Sequence, residues 1–187
     1  MTKCPVYVTA SGKEIPVNNF IQPKAPAVIE VVMNLKGDNP FEACLGFVCR
    51  EIHYQTDTFQ YGVRERWAYP TETLQTRCGD CEDKSFLLAS MLLALNVPGE
   101  TVAVELGKHK GQGHAWVVIQ DLWGKEYVLE TTASTPPVAF VNILPRPGAA
   151  ANAYFPSIRI HATKCDVIGK PELYGKHIIR LMKDGDN

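Results

Sequence analysis

The stretch RCGDCEDKSFLLASMLLALN, residues 77–96, reads as a tight turn that enters a buried helix with a cysteine at its start. Gly79 gives the chain a permissive turn. Asp80 is a good N-cap, and Asp83, three residues on, stands in the reach-back position of a capping box. With Asp80 as cap, Cys81 takes the first helical position, where unpaired backbone N–H groups and the positive end of the helix dipole lie. That setting favours a thiolate over a thiol and makes a nucleophile. Phe86, Leu87, Leu88, Met91, Leu92, Leu93 and Leu95 leave the helix apolar on nearly every side, the mark of a buried helix. Asn96 and Pro98 end it.

Downstream of this helix the pattern changes to alternation. TVAVEL (101–106) and HAWVVIQ (114–120) read as strands, and GKHKGQG (107–113) between them as a mobile polar loop. Residues 121–126 form a turn and YVLET (127–131) returns as a third strand. Positions 114 and 130 are then symmetric about 122, so His114 and Glu130 are expected near each other at one end of a hairpin. Residues 136–156 carry several prolines and a GAAANA run and read as a long excursion with little regular structure. Residues 158–161 and 177–182 are candidate last strands. Upstream, residues 6–17 predict an early strand or hairpin. Residues 25–33 read as a strand or a short helix, and a helix opens at Asn39-Pro40 and ends near Tyr54. Residues 56–69 read as loop, and 70–77 lead into the cysteine turn. No repeat and no linker interrupts the chain, so residues 1–187 are expected to form one domain.

Cys81, His114 and Glu130 form a sensible constellation. A cysteine nucleophile needs a base close by, and the base needs a third group to fix its tautomer. Each piece alone has a plainer reading: a filler thiol beside an apolar helix, a surface or core histidine, a solvated carboxylate. The backbone N–H of Cys81 is an obvious oxyanion donor. Gln75 is the candidate second donor, with Tyr54 and Trp67 as rivals. Asp121 is a fallback carboxylate, disfavoured by its place at the far end of the hairpin. Trp116 reads as packing over the histidine. Asp80, Glu82 and Asp83 read as helix capping and solvated charge. A cationic substrate group or a calcium ion could also gather there.

Composition narrows the function classes. The chain has 187 residues, 45% hydrophobic and 21% charged, with a formal net charge of −1. Nothing in that balance suggests nucleic acid or an acidic membrane surface as a partner. The first residues lack a basic segment followed by an apolar core, and no apolar run reaches the roughly 20 residues needed to span a bilayer. The six cysteines are irregularly spaced, which fits reduced thiols and a cytoplasmic location better than a disulfide framework. Cys78 and Cys81 make a CGDC sequence. A thioredoxin-like pair would need a hydrophobic strand running into it, and PTETLQTR is not one. A zinc site would need two more ligands at typical spacing; no second CxxC or HxxxH exists, and the loop spacing of His109 and His114 supports them only weakly as partners. No metal and no cofactor is therefore expected.

On three ordered blocks the chain resembles the transglutaminase-like superfamily of papain-fold cysteine enzymes, which includes bacterial transglutaminase-like cysteine proteinases. The blocks are GDCED (79–83) with its apolar helix and LNVP ending, HAW (114–116), and YVLETT (127–132); Trp67 and YPTETL (69–74) resemble the family's approach to the cysteine. The recognisable core runs over about 41–132. The resemblance implies an α+β, papain-like fold, with the Cys81 helix packed on an antiparallel sheet. It further implies Cys81 as nucleophile, His114 as general base and acid, and Glu130 as the orienting carboxylate. The implied function is hydrolysis of amide bonds in a peptide or protein substrate through a thioester. The alternatives are glutamine acyl transfer at the same site, or a non-catalytic binding module of the same fold. Two departures stand out: Glu130 where the family has aspartate, and Cys78 where it commonly has a small residue.

Overall fold

The structure, a computed structural model, describes residues 4–133, 143–146, 153–169 and the backbone of 179–180. The chain opens with a hairpin, β1 (Val6–Val8) and β2 (Glu14–Pro16), then a single 3₁₀ turn, Val17–Phe20. The ambiguous segment after it is a helix, α1 (Pro26–Asn34), with proline at the position where a missing N–H costs nothing. Helix α2 (Pro40–Glu51) is capped as its sequence suggests, since the Asn39 side chain accepts from the N–H groups of Phe41 and Glu42. It gives way to β3 (His53–Tyr54). The segment 56–69, expected as loop, contains a short helix, α3 (Asp57–Tyr61), closed by Gly62 at φ 70°. Helix α4 (Pro70–Thr76) follows, then β4 (Cys78–Gly79), which pairs in parallel with β3. The long helix α5 (Cys81–Ala94) comes next.

The rest is mostly sheet: β5 (Val102–His109), β6 (Gln112–Gln120), β7 (Glu126–Leu129), β8 (Ile143–Arg146), β9 (Tyr154–Ile160), β10 (Cys165–Val167) and β11 (Ile179–Arg180). Strands β10-β9-β5-β6-β7-β8 lie side by side in one antiparallel sheet, and β11 joins the first hairpin as β11-β1-β2. The expected polar loop at 107–113 is a continuation of the strands. Gly107 faces His114, Lys108 faces Gly113 and His109 faces Gln112, leaving a two-residue turn. Lys110 (φ 51°) and Gly111 (φ 81°) both take the left-handed backbone that such hairpin turns require. Within the expected excursion, β8 and the start of β9 are ordered strands; residues 134–142 and 147–152 lie outside the described residues. The expected last strand at 177–182 is represented by β11 alone, its remainder also lying outside them.

Helix α5 is the centre of the fold. Every side chain from Cys81 to Leu92 is buried, the polar ones included. Phe86, Leu87, Leu88, Met91 and Leu92 meet Val104, Leu106, Ala115 and Val117 of the sheet in one apolar core. Tyr7, Phe20, Trp67 and Phe86 interlock beside it, with Tyr7 stacked on Trp67 at 4.8 Å. The opposite sheet face carries a second cluster of Trp116, Val118, Val128 and Tyr154. There Glu105, fully buried, accepts from Trp116 Nε1 and from Arg146 and Arg159, which neutralise it.

The expectation of six reduced thiols is corrected: Cys4 and Cys165 form a disulfide, and Cys44, Cys49, Cys78 and Cys81 are free. The pair is 161 residues apart, so local spacing gave no sign of it. Among the described residues, no helix is long and apolar enough to cross a membrane.

Candidate active site

The turn into α5 is tight enough to demand glycine. A Cβ on Gly79 would lie 2.7 Å from Asp83 Cβ. The anticipated capping box is absent: Asp80 makes no side-chain cap, and Asp83 Oδ1 instead accepts from the N–H of Ala68 at 2.7 Å. Cys81 nevertheless sits at the first helical position, 8% exposed, with its Sγ 3.3 Å from Glu82 Oε2. Ser85 Oγ donates to the Cys81 carbonyl at 2.7 Å.

His114 enters from β6 and makes side-chain hydrogen bonds to both Cys81 and Glu130. Its Nε2 is 2.8 Å from Glu130 Oε2. The hairpin register differs slightly from the expected one. Val117 faces Leu129 and Gln120 faces Glu126, so one step further Glu130 stands opposite Trp116, diagonal to His114 rather than across from it. A diagonal neighbour is farther away than a direct one. The extra methylene of glutamate lengthens the reach across that diagonal. Both carboxylate oxygens are engaged: Oε2 accepts from His114 and from Tyr154 Oη, and Oε1 accepts from the N–H and the hydroxyl of Thr132. Cys49 of α2 donates to the Glu130 carbonyl at 3.7 Å, fixing the backbone as well.

This arrangement polarises both partners. Burial disfavours charge on His114, but the hydrogen bonds and charges of Cys81 and Glu130 outweigh it and raise its pKa to about 10. Burial likewise opposes charge on Glu130, yet His114 and the Thr132 donors bring it down to about 2. A cleft of about 360 Å³ opens beside the pair, lined by His109, Gln112, His114, Glu130, Thr132 and Tyr154.

Of the acidic residues around Cys81, Asp80 is partly exposed, but Glu82 and Asp83 are not solvated, contrary to expectation. Glu82 and Asp83 are each 1% exposed, and they are joined by Asp57, 2% exposed, from α3. One oxygen each of Asp57, Asp80 and Glu82 lie within 4.8 Å of one another. Buried oxygens of Asp80, Glu82 and Asp83 have no hydrogen-bond partner among the described residues, and no lysine or arginine there forms a salt bridge with the group. Burial raises all four pKa values, Asp57 to about 6 and Asp80 to about 7, and repulsion from neighbouring carboxylates adds to it, from Glu65 at Asp57 and from within the group at Glu82 and Asp83. Oxygen-only ligands of this density suit a hard cation such as calcium. Sequence reasoning found Asp80, Glu82 and Asp83 but missed Asp57, which lies in a segment read as loop.

The remaining candidates separate cleanly. The Gln75 side chain is exposed on α4 and makes no hydrogen bond among the described residues. The αL residue Arg77 and the β4 pair lie between it and Cys81. Trp67 is committed to the aromatic core. Tyr54, half-exposed, pairs with Gly79 across β3 and β4, and the nearby charges of Cys81 and Asp80 add to burial in raising its pKa. Asp121 bonds within its own turn, to the N–H groups of Trp123 and Lys125. Trp116 is buried packing. Tyr154 and Thr132 were missed: a lone tyrosine after a proline-rich stretch carries no motif.

Residues 31–135 match the family described as bacterial transglutaminase-like cysteine proteinase. No curated protein sequence matches the chain. Among solved structures, Legionella pneumophila LapG is similar at 18% identity and a TM-score of 0.56, over 83% of this chain and 77% of that one. The calcium-bound form of LapG is similar at 17% identity and a TM-score of 0.56, over 84% and 95%. These likenesses agree with the α+β, papain-like fold of a helix packed on an antiparallel sheet. With more than half of its length matched, the chain belongs to the bacterial transglutaminase-like cysteine proteinase family.

Proposed function

We propose that the protein is a cysteine peptidase that cleaves amide bonds in peptide or protein substrates. Cys81 is the nucleophile, His114 the general base and acid, and Glu130 the orienting carboxylate. The observation that carries this reading is one imidazole bonded on one side to a thiol at a helix start and on the other to a fully held carboxylate. The Cys81 proton passes to His114 Nδ1, and the thiolate attacks the carbonyl carbon. The backbone N–H of Cys81 and the phenol of Tyr54 are the candidate oxyanion donors. The imidazolium then protonates the leaving amine, and water activated by His114 resolves the thioester.

Asp57, Asp80 and Glu82 would hold a calcium ion, as the calcium-bound form of the fold neighbour suggests. Such an ion supplies positive charge that offsets carboxylates otherwise opposed to a thiolate at Cys81. The Cys4–Cys165 disulfide favours an oxidising compartment over the cytoplasm expected from cysteine spacing. Iodoacetamide labelling near pH 6, with casein digestion alongside, tests the assignment. Cys81 should be alkylated far faster than Cys44, Cys49 and Cys78, His114→Ala should abolish that preference, and Cys81→Ala should abolish digestion. Equal sluggishness of the four free thiols would overturn it.

A further inference from the structure

Tyr154 lies beyond the family-matched residues 31–135 and two strands away from His114, yet it touches the same oxygen that His114 does. We propose that Tyr154 is a positioning residue: its hydroxyl locks the Glu130 carboxylate in the orientation that faces His114. The inference rests on the catalytic reading above and deepens it.

A glutamate has one more rotatable bond than an aspartate, so a buried glutamate holds an imidazole in place only if something removes that freedom. Three donors outside the histidine do so here. Thr132 N–H (2.9 Å) and Oγ1 (2.7 Å) take one oxygen, and Tyr154 Oη (2.8 Å) takes the other. Thr132 is two residues from Glu130 and moves with it; Tyr154 comes from a separate strand and ties the carboxylate to the body of the sheet.

Tyr154 is itself rigid. It is 7% exposed, its ring lies 4.0 Å from that of His109 and meets Trp116 edge-on at 5.0 Å. The backbone is built to bring it there. Strand β9 pairs His109 with Tyr154, and its register against β5 shifts between Leu106 and Gly107. Gly107 permits that approach, because a Cβ there would fall 2.1 Å from the Phe155 carbonyl oxygen. Gly107 is also the register partner of His114. The two histidines, Tyr154 and Glu130 thus meet at one end of the sheet.

The plainer account is that a buried phenol took the nearest acceptor. The two accounts differ in sign. If the hydroxyl only competes for Oε2, its loss makes Glu130 a stronger acceptor, and His114 keeps its proton to higher pH. If it positions the carboxylate, its loss weakens the support of His114, and the imidazole loses its proton at lower pH. The groups that face His114 are Cys81, Glu130, His109 and Tyr154, so the readout is taken in matched variants of the full chain.

The experiment is the NMR titration of the His114 imidazole in the wild type, Tyr154→Phe, Glu130→Gln and the double variant, with thermal melts as folding controls. In Tyr154→Phe the midpoint should fall by about half a unit to one unit, the effect of one hydrogen bond of ordinary net strength. In the Glu130→Gln background the same change should do nothing further. Thr132→Ala, which leaves the aromatic packing untouched, should shift the midpoint the same way. An unchanged or raised midpoint in Tyr154→Phe, or an equal shift without Glu130, would overturn the proposal while leaving the catalytic reading intact. A wild type without fast, His114-dependent alkylation would instead overturn both.

Discussion

Raising the pH from 5 to 8 should destabilise the metal-free protein, and calcium should reverse the loss. Asp57 titrates at about 6 and Asp80 at about 7, against 3.8 for a free aspartate. The folded chain therefore keeps protons that the unfolded chain releases between about pH 4 and 7, so stability is full below that window and falls as pH rises through it. The gap at Asp57 alone corresponds to roughly 3 kcal/mol in all, of which about half is lost between pH 5 and 8. Asp80 shares protons with its neighbours, so the pair together is worth about 4 kcal/mol rather than the sum. In a chain of this size that is a fall in Tm of about 8–16 °C. Calcium at about 100 times its Kd restores about 2.7 kcal/mol. The assay is thermal melting at pH 5, 6, 7 and 8 in EGTA and in calcium. His114, with its pKa raised to about 10, also loses stability as pH rises above 6.5, so the decisive quantity is the difference between the wild type and Asp57→Asn. That variant should be less pH-sensitive without metal and should respond less to calcium. A metal-free Tm that is flat or rises from pH 5 to 8, or equal slopes in wild type and Asp57→Asn, would refute the reasoning.

Further outcomes follow from the same geometry. Glu130→Gln offers one amide oxygen where four donors now meet a carboxylate; losing charge-assisted bonds worth roughly 2–3 kcal/mol should slow Cys81 alkylation at pH 6 about 30- to 150-fold, measured by mass spectrometry of the labelled peptide. Under denaturing, non-reducing conditions four thiols should react with iodoacetamide and Cys4 and Cys165 should not. Reduction of that long loop should lower stability by about 2–5 kcal/mol, read from urea melts.

The helix at Cys81 and the hairpin carrying His114 and Glu130 were legible because each is specified locally, by glycine, apolar continuity and alternation. Fine placement was not. Capping chemistry predicted solvated acids at 80, 82 and 83, whereas Glu82 and Asp83 are buried and Asp57 of α3 joins Asp80 and Glu82 in one acidic cluster. Polar composition predicted a loose loop at 107–113, whereas strand pairing and two left-handed residues made it a tight hairpin. The oxyanion candidate Gln75 was chosen from spacing alone, and a helix end and a two-residue strand lie between it and Cys81.

Sequence by itself determined which residues form the Cys81 turn, the His114 strand and the returning Glu130 strand, because short-range backbone preferences and side-chain periodicity act within a few residues. Only the tertiary structure decided what surrounds them: the Cys4–Cys165 bond, Asp57 beside Asp80, and Tyr154 on Glu130. Those contacts join residues distant in the chain, and their free energy exists only once the sheet register and the packing of α5 have brought the partners together.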